Sequence, residues 1–226
     1  MDASKDLLDD GNNRVSDRIA RVFCCTAPSR ADARRDKLLD AARTLFAERG
    51  FHQTGVAQIA KASGVLVGQI YRDFANKEEI VAAIAASDLQ ESLGELELER
   101  ATDTGDTAAV RAWIRRFVSA KAKKDCRLGT EILAESMRNP KIAETFRAIQ
   151  QRVRCSLSRA LEALAPGDVR KRDRLLTAEV IMTIGGGIFH LGAYYAGADG
   201  RAALDPEVEA RLIALVDREV DALVAA

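Results

Sequence analysis

The stretch from Thr54 to Lys77, TGVAQIAKASGVLVGQIYRDFANK, constrains this chain more than any other. Val56, Ile59 and Ala60 recur at helical spacing, Ser63-Gly64 interrupts them, and a second apolar set follows at Val65, Ile70 and Phe74. The pattern predicts two short helices around a tight turn. The second helix would expose Val67, Gly68, Gln69, Tyr71, Arg72 and Asp73, a polar, aromatic and basic mixture too short to make a useful core stripe. In the DNA-binding form of a helix-turn-helix, that helix enters the major groove. Gly64 supplies a backbone that tolerates positive φ at the turn, and Gly68 has no side chain to hold it away from a phosphate or base edge. The same corner also occurs as an ordinary αα-corner in enzymes and adaptors, so spacing alone leaves both uses open.

Charge is placed unevenly. The 226 residues carry 34 Lys and Arg against 34 Asp and Glu. Between Arg30 and Lys77, however, nine basic residues face five acidic ones, whereas Glu78 to Asp106 holds one against nine. The first segment attracts phosphate and its neighbour repels it.

A composition of 47% apolar and only 5% aromatic residues suits an Ala/Leu-rich helical protein. There is no run of eighteen or more apolar residues, and the start, MDASKDLLDDGNNRVSD, is acidic and polar, which predicts a soluble cytoplasmic protein without a membrane partner. Four cysteines without a C-x-x-C pair, and only His52 and His190, argue for reduced thiols and against a disulfide framework, a zinc site or another cofactor. Cys24-Cys25 could close only a strained bridge, since neighbouring Cα atoms lie about 3.8 Å apart and disulfides prefer roughly 4.4 to 6.8 Å. The histidines lack any G-x-S-x-G, H-E-x-x-H or phosphate-loop context, so no enzyme is predicted.

Taken in order, residues 1–29 read as a weakly ordered arm, with a basic arm along DNA, using Arg14, Arg18, Arg21 and Arg30, as the functional alternative. Residues 30–91 form the reading head. Ser29 caps its first helix with Asp32 in the first turn; Leu38, Leu39, Ala42, Leu45 and Phe46 face inward; Gly50 ends it, and Phe51 and Phe74 close a small core. Lys77-Glu78-Glu79 opens a connecting helix with Ile80, Ile84 and Leu89, continuing toward Leu93 and Leu96. In its first turn Lys77 can meet a phosphate or pair with a nearby acid. Residues 92–226 form a larger helical unit. A break at Thr102–Asp106 precedes a helix with Val110, Trp113, Ile114, Phe117 and Val118, then one over about Arg127–Arg138, and Asn139-Pro140 starts the next, which Pro166-Gly167 ends. A helix over about Val169–Tyr195 and one from Asp205-Pro206 complete the chain. Gly185-Gly186-Gly187 in a helix interior costs on the order of 1 kcal/mol per residue. Close helix contact or an opening beside a cavity would each offset that cost.

The segment from about Ala31 to Gln90 resembles the amino-terminal domain of the TetR family of bacterial transcriptional regulators. The likeness rests on Leu45–Phe51 (LFAERGF), Thr54–Val65 (TGVAQIAKASGV), Gly68–Phe74 (GQIYRDF) and Asn76–Ile80 (NKEEI), in order and without gaps. Departures fall at Gly55, Leu66, Val67 and Asp73, where many members carry a hydroxyl, Ser, Lys and His. The resemblance implies an all-α protein with a three-helix DNA-binding domain and a larger domain for effector binding and dimerisation. It further implies a homodimeric repressor that binds a palindromic operator and is released by a small hydrophobic effector. Thr54, Gly55, Val67, Gly68, Gln69, Tyr71, Arg72, Asp73 and Lys77 are then expected at the DNA. Tyr71 and Lys77 would meet phosphate, and Gln69 and Arg72 would pair with adenine and guanine edges. The last two helices would form the dimer seam. Trp113, Phe117, Met137, Phe146, Ile149, Met182, Phe189 and His190 are expected at the effector chamber, with His190 and Arg116 as polar anchors; without the resemblance most of them read as core. A helical adaptor that never binds DNA is the rival reading.

Overall fold

A computed structural model describes residues 29–119, 126–194 and 204–225, and all regular structure among them is helical. Ten α-helices follow in order: α1 (Arg30–Gln53), α2 (Val56–Ser63), α3 (Val67–Asp73), α4 (Lys77–Leu93), α5 (Glu95–Asp103), α6 (Thr107–Phe117), α7 (Cys126–Ser136), α8 (Pro140–Leu164), α9 (Lys171–Tyr194) and α10 (Pro206–Ala225). By contacts the chain falls into two units, Met1–Lys37 and Leu38–Ala226. The expected arm and the Cys24-Cys25 pair lie outside the described residues.

In the first unit Ser29 caps α1 reciprocally: its hydroxyl accepts from the Asp32 N–H at 3.2 Å, and Asp32 accepts the Ser29 N–H at 2.9 Å. The Ser29 hydroxyl donates to the Asp32 carboxylate at 2.7 Å, and this bond, with the one from the Ser29 N–H, holds the carboxyl below its ordinary range.

The second unit contains two hydrophobic cores. One gathers Leu38, Phe46, Phe51, Ile59, Ile70, Phe74, Ile80 and Ile84 from α1 to α4, joined by Leu128, Ile132 and Ile142 from α7 and α8. Complete burial of such side chains contributes about 1.5–3 kcal/mol each, enough to fix the two short helices α2 and α3, which would not persist alone. At Gly50 the backbone turns out of the helix with φ 77°, then resumes one turn to Gln53. The second core gathers Leu93, Leu98, Trp113, Ile114, Leu157, Leu161, Ile181, Val216 and Val220. The 25-residue α8 runs through the middle and packs against α4, α5, α6, α7 and α9. Its start follows the sequence signal: Asn139 accepts the Lys141 N–H at 3.1 Å, with proline in the first turn.

The connecting helix is shorter than expected. Gly94 adopts left-handed geometry (φ 55°, ψ 48°) and divides it into α4 and α5, so Leu96 lies on a separate helix and is exposed. A side chain at Gly94 would run into the Arg116 guanidinium, which donates to Leu93 O at 3.3 Å and pairs with Glu97. A 3-10 turn, Asp168–Arg170, precedes α9, where a continuous helix from Val169 was expected. By length and composition Lys171–Leu191 could cross a membrane although no long uninterrupted apolar run exists. Here its charges serve packing: Arg174 donates to Ala165 O at 2.8 Å and Gly167 O at 2.7 Å, and Glu179 pairs with Arg154 of α8 at 2.9 Å. The C-terminal helix is tied to α6 by Arg111–Asp221 at 2.6 Å and Arg115–Asp217 at 2.8 Å.

Candidate DNA-reading surface and ligand cavity

The turn between α2 and α3 is built as its residues require. Gly64 takes φ 69°, the Ser63 hydroxyl donates to Ile59 O at 2.8 Å, and Val65 drops into the core. Ile70 of α3 is buried beside it, which turns Val67, Gly68, Tyr71 and Arg72 outward. Gln69 and Asp73 are half-buried at the edge of this face. A Cβ at Gly68 would meet no atom of the chain within 4 Å, so nothing inside the protein requires glycine there. Since glycine in a helix costs about 1 kcal/mol relative to alanine, the open space is of use only to something outside the chain. Gly55 lies at the start of α2, and its N–H donates to the Gln58 side chain at 2.8 Å.

Two expected DNA contacts are engaged within the fold. Thr54 is completely buried, its hydroxyl donating to Leu45 O at 3.1 Å and Gly50 O at 2.9 Å, so it offers no surface to a ligand. That side chain holds the α1–α2 corner, which corrects the expectation of a contact with DNA. The half-buried Lys77 donates from Nζ to Phe51 O at 2.6 Å and Thr54 O at 3.1 Å, and lies 4.0 Å from the centre of the Phe51 ring. Burial pushes its amine below the ordinary value, against the opposing influence of Glu78 and Glu135. Asn76 caps α4 by accepting the Glu79 N–H at 2.9 Å.

A second site lies among α4, α6, α7, α8 and α9: a cavity of about 210 Å³ with a predominantly apolar wall. Phe117, Phe146, Ile149, Met182, Phe189 and His190, expected there as large side chains on these helices, line it, and so does Arg116. Trp113 and Met137 do not. Trp113 stands behind Phe117, with ring centroids 6.3 Å apart, and its indole N–H donates to Leu93 O within the core. Met137 follows the end of α7 and is 84% exposed. The three consecutive glycines of α9 point in three directions. A Cβ at Gly185 would fall 2.7 Å from the Phe117 ring, Gly186 borders the cavity, and Gly187 lies outside with no atom within 4 Å.

Cavity and reading head share walls. Leu128 and Ile132 of α7 belong to the amino-terminal core and also line the cavity. From the same helix, Glu131 accepts the Phe51 N–H at 3.0 Å and the buried Glu135 meets His52 Nε2 at 2.8 Å and Arg138 at 3.1 Å. Asp88 of α4 lines the cavity and pairs with Arg43 of α1 at 2.5 Å.

The α4 contribution to the cavity was missed from sequence. Ala85, Leu89 and Leu93 satisfy a core pattern, but Asp88 and Ser92, four residues apart, form a polar strip beside it and were the available signal. Gln150 and Gly129 came without any local signal.

The profile of bacterial regulatory proteins of the tetR family matches residues 38–84. The HTH-type transcriptional regulator UidR of Escherichia coli strain K12 is 33% identical over 115 residues, 50% of this chain and 57% of that protein. The chain thus spans little more than half the length of this relative. The HTH-type transcriptional repressor KstR2 of Rhodococcus jostii strain RHA1 is 48% identical over 61 residues, 27% of this chain and 30% of that protein. The solved structure of Salmonella enterica GusR superposes with a TM-score of 0.60, covering 88% of this chain and 98% of that one at 23% identity, a likeness of fold. The helix-turn-helix described above lies within the matched segment, so residues 38–84 carry the domain that marks the tetR family of bacterial regulatory proteins.

Proposed function

We propose that this protein is a cytoplasmic transcriptional repressor that binds a palindromic operator as a homodimer and is released by a small hydrophobic effector. Residues 30–91 form its DNA-binding domain and 92–226 its effector and dimerisation domain. The observation that carries this reading is the common wall: Leu128 and Ile132 face the cavity and pack into the core supporting the reading helix. A ligand that spreads that wall displaces α7, and with it the carboxylates that hold Phe51 and His52. At the DNA, Gly55, Gly68 and Tyr71 approach the backbone, Gln69 and Arg72 read bases, and Asp73 orients the basic side chain beside it. The third proton of Lys77 remains for a phosphate.

Dimerisation fits the exposed apolar stripe of α9. Leu176, Val180, Gly187, Leu191 and Tyr194 fall on one face at helical spacing, and Val208 and Leu215 are exposed on α10. Two copies joined there by a two-fold axis would bury both stripes and present two reading helices to two half-sites.

Sequencing genomic fragments retained by the purified protein tests the proposal. Enrichment of one inverted-repeat sequence supports it, and fragments enriched no more than bulk DNA would favour the adaptor reading.

A further inference from the structure

Leu66 and Val67 stand where many family members carry Ser and Lys, and the structure leaves both uncovered. Leu66 is 71% exposed and Val67 41%, side by side at the start of α3, with the 55% exposed Tyr71 one turn on. Leu66 also occupies the cap position of α3 without a side-chain hydrogen bond to the helix, where Ser, Thr, Asp or Asn is favoured. Its side chain therefore neither caps the helix nor buries itself: the apolar contact of the corner is made by Val65 and Ile70. Gly68, next in line, leaves open space, so no side chain stands between the Leu66–Val67 pair and a surface laid against α3.

We propose that Leu66 and Val67 are specificity-determining residues that read the 5-methyl groups of thymines in the major groove of the operator. The methyl group is the only apolar feature on a base edge in that groove, and aliphatic side chains contact it directly. The DNA surface that suits a Leu-Val pair flanked by Gln69 and Arg72 is a thymine-containing step beside an adenine or guanine. The inference rests on the functional reading above and adds a base feature that the polar side chains do not detect.

The test uses a duplex selected from a random pool by the full-length protein. Each thymine is replaced in turn, in both half-sites, by uracil, which lacks only the methyl group. At one or two positions per half-site, wild-type affinity falls about fourfold for each methyl removed. The Leu66→Ser variant has a weakened thymine preference at those positions, the Leu66→Ser/Val67→Ser pair binds the thymine and uracil duplexes equally there, and both keep the wild-type circular dichroism spectrum. Wild-type affinity indifferent to every uracil substitution overturns the inference, as does a thymine preference retained by both variants. A change in sedimentation of Leu66→Ser with no change in methyl preference also overturns it, because the pair then joins protein to protein. Failure to select any duplex overturns the functional reading itself.

Discussion

The Lys77 ammonium carries three protons, and two are donated to the carbonyls of Phe51 and Thr54. Replacing it with alanine leaves those half-buried acceptors unpaired, which costs about 1–3 kcal/mol of stability. The same change should weaken binding to all duplexes alike and lower the salt slope by about one unit per lost phosphate contact in each half-site. Thermal unfolding combined with a salt titration checks both; a salt slope equal to wild type would leave Lys77 as a purely structural residue. Gln69→Ala and Arg72→Ala should instead relax preference at particular base pairs by roughly 1–3 kcal/mol each. If selected sites for Arg72→Ala match those of wild type, Arg72 only positions the helix. Glu95 gives a pH signature. Hydrogen bonds from Arg152 hold its carboxyl below the ordinary range, so the folded state binds this proton less readily than the unfolded chain. The contribution of the pair is present above the ordinary carboxylate range and disappears as pH falls through the lowered value. Glu95→Gln should therefore melt below wild type at neutral pH, with the gap closing in acid; a gap independent of pH would contradict the assignment.

At the level of elements, local signals were legible where the chain itself satisfies the backbone. Ser29 with Asp32, Gly64, and Asn139-Pro140 mark helix ends by chemistry contained within a few residues. Gly94 was not legible, because one glycine in an apolar repeat looks tolerable until Arg116, 22 residues later, is placed against it. Likewise Thr54 belongs to the recognised motif, but its burial depends on Leu45 and Gly50 closing the corner. For the cavity, aromatic and long side chains identified α6, α8 and α9 but not α4, and spacing does not say which layer a residue occupies. Trp113 and Phe117, four apart on α6, fall on either side of the wall. Gly129 offers a test of that packing, since a Cβ there would strike the Phe189 ring. Gly129→Ala should cost about 1–3 kcal/mol and turn Phe189 into the cavity, reducing uptake of a hydrophobic fluorescent probe. Unchanged probe binding would remove Phe189 from the cavity wall. On the outer face of α9, Gly187→Leu should disturb the dimer, whereas Gly186 borders the cavity instead; sedimentation showing an unchanged dimer for Gly187→Leu would move the seam elsewhere.

For the whole molecule, α4, α7 and α8 each contribute to both the amino-terminal core and the cavity, so the two sites are built from common elements within Leu38–Ala226. That arrangement makes binding at one site thermodynamically reciprocal with binding at the other wherever a ligand distinguishes two positions of α7. The cavity lining comes from five helices and could not be inferred from any one stretch. The outward residues of α3, by contrast, come from a single stretch. The measurement that bears most directly on the central claim is fluorescence anisotropy of the retained duplex, titrated with protein at a series of salt concentrations beside a scrambled duplex. The account predicts two-fold stoichiometry, a preference of at least about 10³ for the retained sequence, and a logarithmic affinity that falls linearly with the logarithm of salt. Equal affinity for both duplexes, or binding indifferent to salt, would contradict it.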